Sequence, residues 1–290
     1  MSARIAMPKA ALVAAGYDAF DHDGIEGEDA VGAPGMESAN TGTEPHFDDF
    51  RDKLRWKWPH GDALCRQMRE RIGPRALLKF SGGKDSVCAA LMLQKHFDEV
   101  VPCFMYIVPD LEFVDEALDY YERKLFHRKI VRVPHPGLFQ WLRRFVYQDP
   151  VAARVIQKSQ LPKVTNDDVN ACVCASEGLP PGTLPATGIR YSETPTRAQS
   201  LYQYGPVGKT MWSPIFDWRK QEALDCMAAA GLKLSGEYAF MGKSFGGIHI
   251  EHILPVKRHR PRDYAKIVAA LPLIEAEVIR HERDHGARTA

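Results

Sequence analysis

Six consecutive residues, Ser81-Gly82-Gly83-Lys84-Asp85-Ser86, gather two hydroxyls, an ammonium and a carboxylate around a glycine pair. Gly82 and Gly83 can take backbone angles closed to other residues, so the chain can curl there with its N–H groups turned inward. Lys84 adds a full positive charge, and Ser81 and Ser86 add hydroxyl donors. An oligophosphate is the guest that fits such a set. The run 76–80 has a strand's length and apolarity, while Val87, Ala90, Leu91 and Leu93 recur at helical spacing. Residues 81–86 are therefore predicted to form a strand-to-helix turn, and the positive end of the helix strengthens the anion seat. The spelling is not that of a Walker A loop, which fits neither around Lys84 nor around Gly208-Lys209-Thr210, where its first glycine would fall on Gln203.

Two further segments carry polar groups at predicted strand ends: Thr187-Gly188-Ile189-Arg190-Tyr191-Ser192-Glu193 with Arg197, and Ser213-Pro214-Ile215-Phe216-Asp217-Trp218. Guanidinium groups at Arg190 and Arg197 could clamp an α-phosphate or an acceptor oxyanion. Asp85 could hold a Mg²⁺ or fix the loop by accepting backbone hydrogen bonds.

The Ser-Gly-Gly-Lys-Asp-Ser spelling after a strand resembles the pyrophosphate loop of the PP-loop ATP pyrophosphatases, the adenine nucleotide alpha-hydrolase-like group that includes the phosphoadenosine phosphosulfate (PAPS) reductases. The arginine segment is similar to the G-x-R-x-x-E/S…R segment of the PAPS reductase-like branch, and 213–218 to its P-I-x-x-W segment. Together the three span about residues 76–250. The resemblance implies ATP and Mg²⁺ as cofactors, Ser81, Gly82, Gly83, Lys84, Asp85 and Ser86 as the nucleotide-binding residues, and Lys84, Arg190 and Arg197 as catalytic residues. It implies cleavage of ATP between the α and β phosphates, with adenylyl transfer and pyrophosphate release. The acceptor would be a small molecule or nucleic acid, with sulfur transfer or nucleic-acid modification among the outcomes, and Cys172 or Cys174 could then carry persulfide sulfur. A noncatalytic nucleotide-binding partner or sensor is an alternative. A PAPS/APS reductase-type activity is another, although the terminal reactive cysteine of that group has no counterpart after Cys226. Some relatives bind an iron–sulfur cluster near the positions of Cys172 and Cys174. With His249 and His252 these would make a Cys₂His₂ set acceptable to zinc.

The elements that must position these residues follow from apolar periodicity. A helix over 50–72, strand 76–80, helix 86–96, strand 100–108, helix 113–126 and strand 129–133 alternate as in a parallel sheet with right-handed crossovers. Strands 184–190 and 210–215 bring the count to five, giving an α/β fold with a parallel five-stranded sheet and helices on both faces. A helix over 138–148 leads into a less regular stretch, 149–181. Helix 218–230 follows, then an irregular glycine-rich stretch, 236–256, and a helical region over 263–285 interrupted at Pro272.

Charge divides the 290-residue chain unevenly. Ten acids against Arg4 and Lys9 give residues 1–50 a balance of −8, so the remainder carries +9 within a total of +1. Residues 1–46 are expected to form an acidic flexible arm, 47–256 the PP-loop domain, and 257–290 a basic segment with a helical extension. The densest basic run, Lys257-Arg258-His259-Arg260-Pro261-Arg262, is expected to be a solvated face, with a nucleic-acid backbone as the alternative. Six scattered cysteines fit reduced thiols, Cys88 and Cys103 among them as core. No stretch suits a membrane span, and a cytoplasmic location with no membrane partner is the expectation.

Overall fold

The computed structural model describes residues 47–286; the expected acidic arm lies outside them. Helices α1 (Phe47–Lys57) and α2 (Gly61–Ile72) lead into β1 (Arg75–Lys79), and α3 (Lys84–Gln94) crosses to β2 (Glu99–Tyr106). Helix α4 (Glu112–Tyr121), prolonged by a π-helical turn at Glu122–Phe126, crosses to β3 (Val131–Pro134). Helices α5 (Pro136–Arg143), α6 (Pro150–Ser159) and α7 (Asn166–Glu177) follow, then α8 (Pro195–Tyr204), α9 (Lys220–Ala229) and a short α10 (Tyr238–Met241). Helices α11 (Ile250–His259), α12 (Pro261–Ala270) and α13 (Ile274–Gly286) complete the described chain.

The fold is α/β, and its parallel sheet runs in the order β1-β2-β3, with Leu77 opposite Val101 and Cys103 opposite Val131. Five strands were expected and three are found. The segment 184–190 does lie beside β1, and 210–215 lies on its far side, Ala186 bridging Leu78 on one side and Trp212 on the other, both parallel. Both make isolated bridges rather than strands. Ala186 N donates to Leu77 O (2.7 Å) and Thr187 N to Trp212 O (2.8 Å). Pro185 and Pro214 bracket these rungs and carry no N–H to continue them.

Side chains alternate across the strands, so both faces of the sheet are buried. Leu78 joins a core with Leu54, Leu64, Met68, Leu93 and Trp212, whereas Leu77 joins Val101, Cys103 and, from α7, Val169, Val173 and Cys174. A third cluster gathers Phe113, Leu138 and Trp141 with Ile253, Val256, Ile267 and Val278. Helices α11–α13 thus pack on α4 and α5, and the expected boundary at 256/257 falls inside α11. The single helix expected over 50–72 is two, because Pro59 interrupts it. The stretches 149–181 and 236–256, expected to be irregular, hold α6, α7, α10 and the start of α11. Helix α3 is buried on nearly every side: Ser86, Val87, Cys88, Ala89, Ala90, Met92 and Leu93 are all inside. Small residues let it lie close to the sheet, α2 and α9, and this fixes the turn at its N-terminus. Among the described residues no helix is long and apolar enough to cross a membrane.

Candidate functional site

The turn at 81–86 sits at the carboxyl edge of β1. Phe80 N still donates to Cys103 O (2.8 Å), and the chain then leaves the sheet. Gly82 takes φ +77°, a left-handed conformation that costs a side-chain-bearing residue about 1–2 kcal/mol. Gly83 is the N-cap of α3 at φ −74°, ψ 156°. The hydroxyls close the turn on itself. Ser86 Oγ donates to Gly83 O (2.8 Å) and accepts from Ser81 N (3.3 Å), while Gly83 N donates to Ser81 Oγ (3.4 Å). No described hydrogen bond takes up the N–H groups of Lys84 and Asp85. The first turn of α3 therefore keeps donors for an anion.

Asp85 links the turn to the arginine segment. Its Oδ2 accepts from Lys84 Nζ (2.6 Å) and its Oδ1 from Arg190 Nε (2.7 Å). The Arg190 side chain is only 3% exposed. Its Nη1 donates to Ser192 Oγ (2.6 Å), and Ser192 Oγ donates to Trp218 O (2.9 Å). One buried guanidinium thus ties 81–86, 187–193 and the Ile215-Phe216-Asp217-Trp218 segment together. Gly188 makes this approach possible: a Cβ there would lie 2.6 Å from Asp85 C and from Ser86 N, which no real contact allows.

Of the expected site residues, Ser81, Gly82, Gly83, Lys84, Asp85, Ser86 and Arg190 are brought together. Arg197 is on α8, where its guanidinium bonds Glu193 and its N–H donates to Thr194 Oγ1 (3.1 Å). Asp85 does fix the turn, but through side-chain cations rather than the expected backbone N–H groups. Sequence reading missed Ser192 and Arg55. Arg55 Nε donates to the buried Asp217 Oδ2 (2.6 Å), locking α1 onto the Asp217-Trp218 turn. No local pattern links residues 162 apart in sequence.

The four candidate metal ligands do not gather at one centre, although the His249 and His252 rings lie beside each other with centres 5.7 Å apart. Cys174 is buried with Leu77 and Val101, Cys172 is exposed, and His252 packs against Phe245 with Nδ1 3.2 Å from Gly247 O. Among the described residues no group of three or more His, Cys, Asp or Glu could hold a metal. Burial pushes the Cys65 and Cys103 thiols up to about 12 and raises Cys88 too, which disfavours a thiolate at these three. The basic run is partly spent on internal pairs, Lys257 with Glu282 (2.7 Å) and Arg260 with both oxygens of Glu116 (3.0 and 2.9 Å). Compared with models of known protein families and with curated proteins, the chain matches none.

Proposed function

We propose that this chain binds ATP at residues 81–86 and cleaves it between the α and β phosphates. An acceptor oxygen attacks the α-phosphorus, the bond from that phosphorus to the α–β bridging oxygen breaks, and pyrophosphate leaves with the electron pair. The reading is carried by one observation: a glycine turn at the carboxyl edge of a parallel strand, with open N–H donors on a buried helix and Lys84 beside them. Lys84 and the N–H groups would neutralise the β and γ phosphates as charge builds on the leaving pyrophosphate. Arg190 acts as a positioning residue through Asp85, and Arg197 is the remaining candidate for the α-phosphate or the acceptor. Magnesium would arrive with ATP as its counter-ion.

Pyrophosphate release from Mg·ATP, measured across sulfate, carboxylate and nucleobase acceptors, tests the reading. Release that depends on one acceptor class and is lost in Lys84→Ala supports it. Tight ATP binding with no pyrophosphate for any acceptor favours a noncatalytic nucleotide-binding module. That second reading draws support from the Lys84–Asp85–Arg190 network, which engages both cations next to the turn.

A further inference from the structure

Two phenylalanines pin a short segment to one buried ring. Phe240 and Phe245 both pack edge-on against Phe113, with ring centres 5.9 and 5.2 Å apart. Gly242 (φ +72°) and Gly247 (φ +120°) turn the chain on either side of the residues between them. The span so held brings Ser244 over the phosphate turn. A methyl group built on Gly83 would meet Ser81 Oγ and Ser244 Oγ at 3.4 Å each, so the two hydroxyls converge on one point beside Gly83 Cα. The backbone angles of Gly83 suit any residue, so its glycine is not required by conformation. What the missing side chain leaves is a cradle bounded by two hydroxyls at the first turn of α3.

We propose that residues 242–247 form a strap that completes the anion site, with Ser244 Oγ as a further phosphate-binding group that donates to a nonbridging phosphate oxygen of the nucleotide. The inference rests on the nucleotide reading of residues 81–86. A serine hydroxyl suits this place because it rotates to donate to an oxyanion without bringing charge. The charge on the strap is held elsewhere, since Lys243 Nζ bonds Glu251 Oε2 (2.7 Å) at the surface. The far end is fixed by His252, which contacts Gly247 O and the Phe245 ring.

The test uses the full chain with ATP as the probe. Ser244→Ala is expected to weaken ATP binding about tenfold or more, as for loss of a hydrogen bond to a charged group, with Ser244→Thr restoring it and the melting temperature unchanged. In the wild type, saturating ATP is expected to slow tryptic cleavage after Lys243, an exposed residue. Wild-type affinity in Ser244→Ala, or cleavage after Lys243 indifferent to ATP, overturns the strap while leaving the nucleotide reading intact if Lys84→Ala still loses binding. Unchanged ATP affinity in Lys84→Ala overturns the nucleotide reading and the strap with it.

Discussion

Gly83→Ala separates conformational need from ligand need in the glycine turn proposed to hold phosphate. The substituted residue keeps φ −74° and ψ 156°, and its methyl meets Ser81 Oγ and Ser244 Oγ at 3.4 Å and Ser244 Cβ at 3.5 Å, ordinary van der Waals distances. Alanine is a poorer N-cap than glycine, but it also restricts the unfolded chain, which stabilises by about 0.4–1 kcal/mol. The two effects oppose, so folding stability should change by no more than about 1 kcal/mol, or roughly 2–4 °C in melting temperature for a domain of this size. Binding should respond far more. The methyl takes the point on which both hydroxyls converge, and losing one hydrogen bond to a charged phosphate costs about 1.5–3 kcal/mol, roughly 10- to 150-fold in affinity. Calorimetric titration with Mg·ATP, alongside thermal unfolding, reads both quantities. Wild-type affinity with an unchanged melting temperature would refute the cradle. A loss of many degrees would refute the claim that the site has room for a methyl.

Four further outcomes follow. Gly188→Ala should lower stability by roughly 1–3 kcal/mol, because its Cβ meets backbone atoms of α3 that cannot swing aside; urea unfolding checks this. Arg190→Met should cost roughly 3 kcal/mol, the low end for breaking a buried pair since Asp85 keeps Lys84, and Arg190→Lys should not restore it because an ammonium cannot reproduce the guanidinium geometry. Burial holds His252 below the ordinary histidine value of 6.5, with Lys243 and His249 lowering it and the Gly247 carbonyl and Glu251 opposing. The unfolded chain therefore takes the proton first, so the group costs nothing above pH 6.5. Stability falls as pH drops below 6.5 and levels off beneath the folded value, with a slope of at most about 1.4 kcal/mol per pH unit that His252→Gln should remove. A thiol reagent should label exposed Cys172 rapidly in the native protein and reach Cys65, Cys88 and Cys103 only on unfolding; prompt labelling of all four would contradict the buried assignment.

The three strands and the glycine turn at 81–86 were legible because their signals are local. Three apolar runs of strand length mark β1 to β3, and the glycine pair between β1 and the α3 periodicity marks the turn. Helices α6 and α7 escaped apolar periodicity, yet each has a start signal. Asp149 accepts from Val151 and Ala152 N–H ahead of Pro150, and Thr165 with Asp168 forms a reciprocal cap. The fourth and fifth strands failed because apolar runs do not count donors, and Pro185 and Pro214 leave these segments with isolated bridges rather than a ladder. At the site, the partnership of Asp85 with Arg190 and the approach of Ser244 to Gly83 are tertiary contacts across about a hundred residues or more. Spacing along the chain has no access to them.

The proposed reaction breaks the bond between the α-phosphorus and the α–β bridging oxygen of ATP. Incubating wild type and Lys84→Ala with [α-³²P]ATP, Mg²⁺ and each acceptor class, then resolving the labelled products, follows that bond directly. The account predicts label in AMP or an adenylylated acceptor with one equivalent of pyrophosphate, and loss of both in Lys84→Ala. Label accumulating in ADP, or AMP formation undiminished in Lys84→Ala, would contradict it.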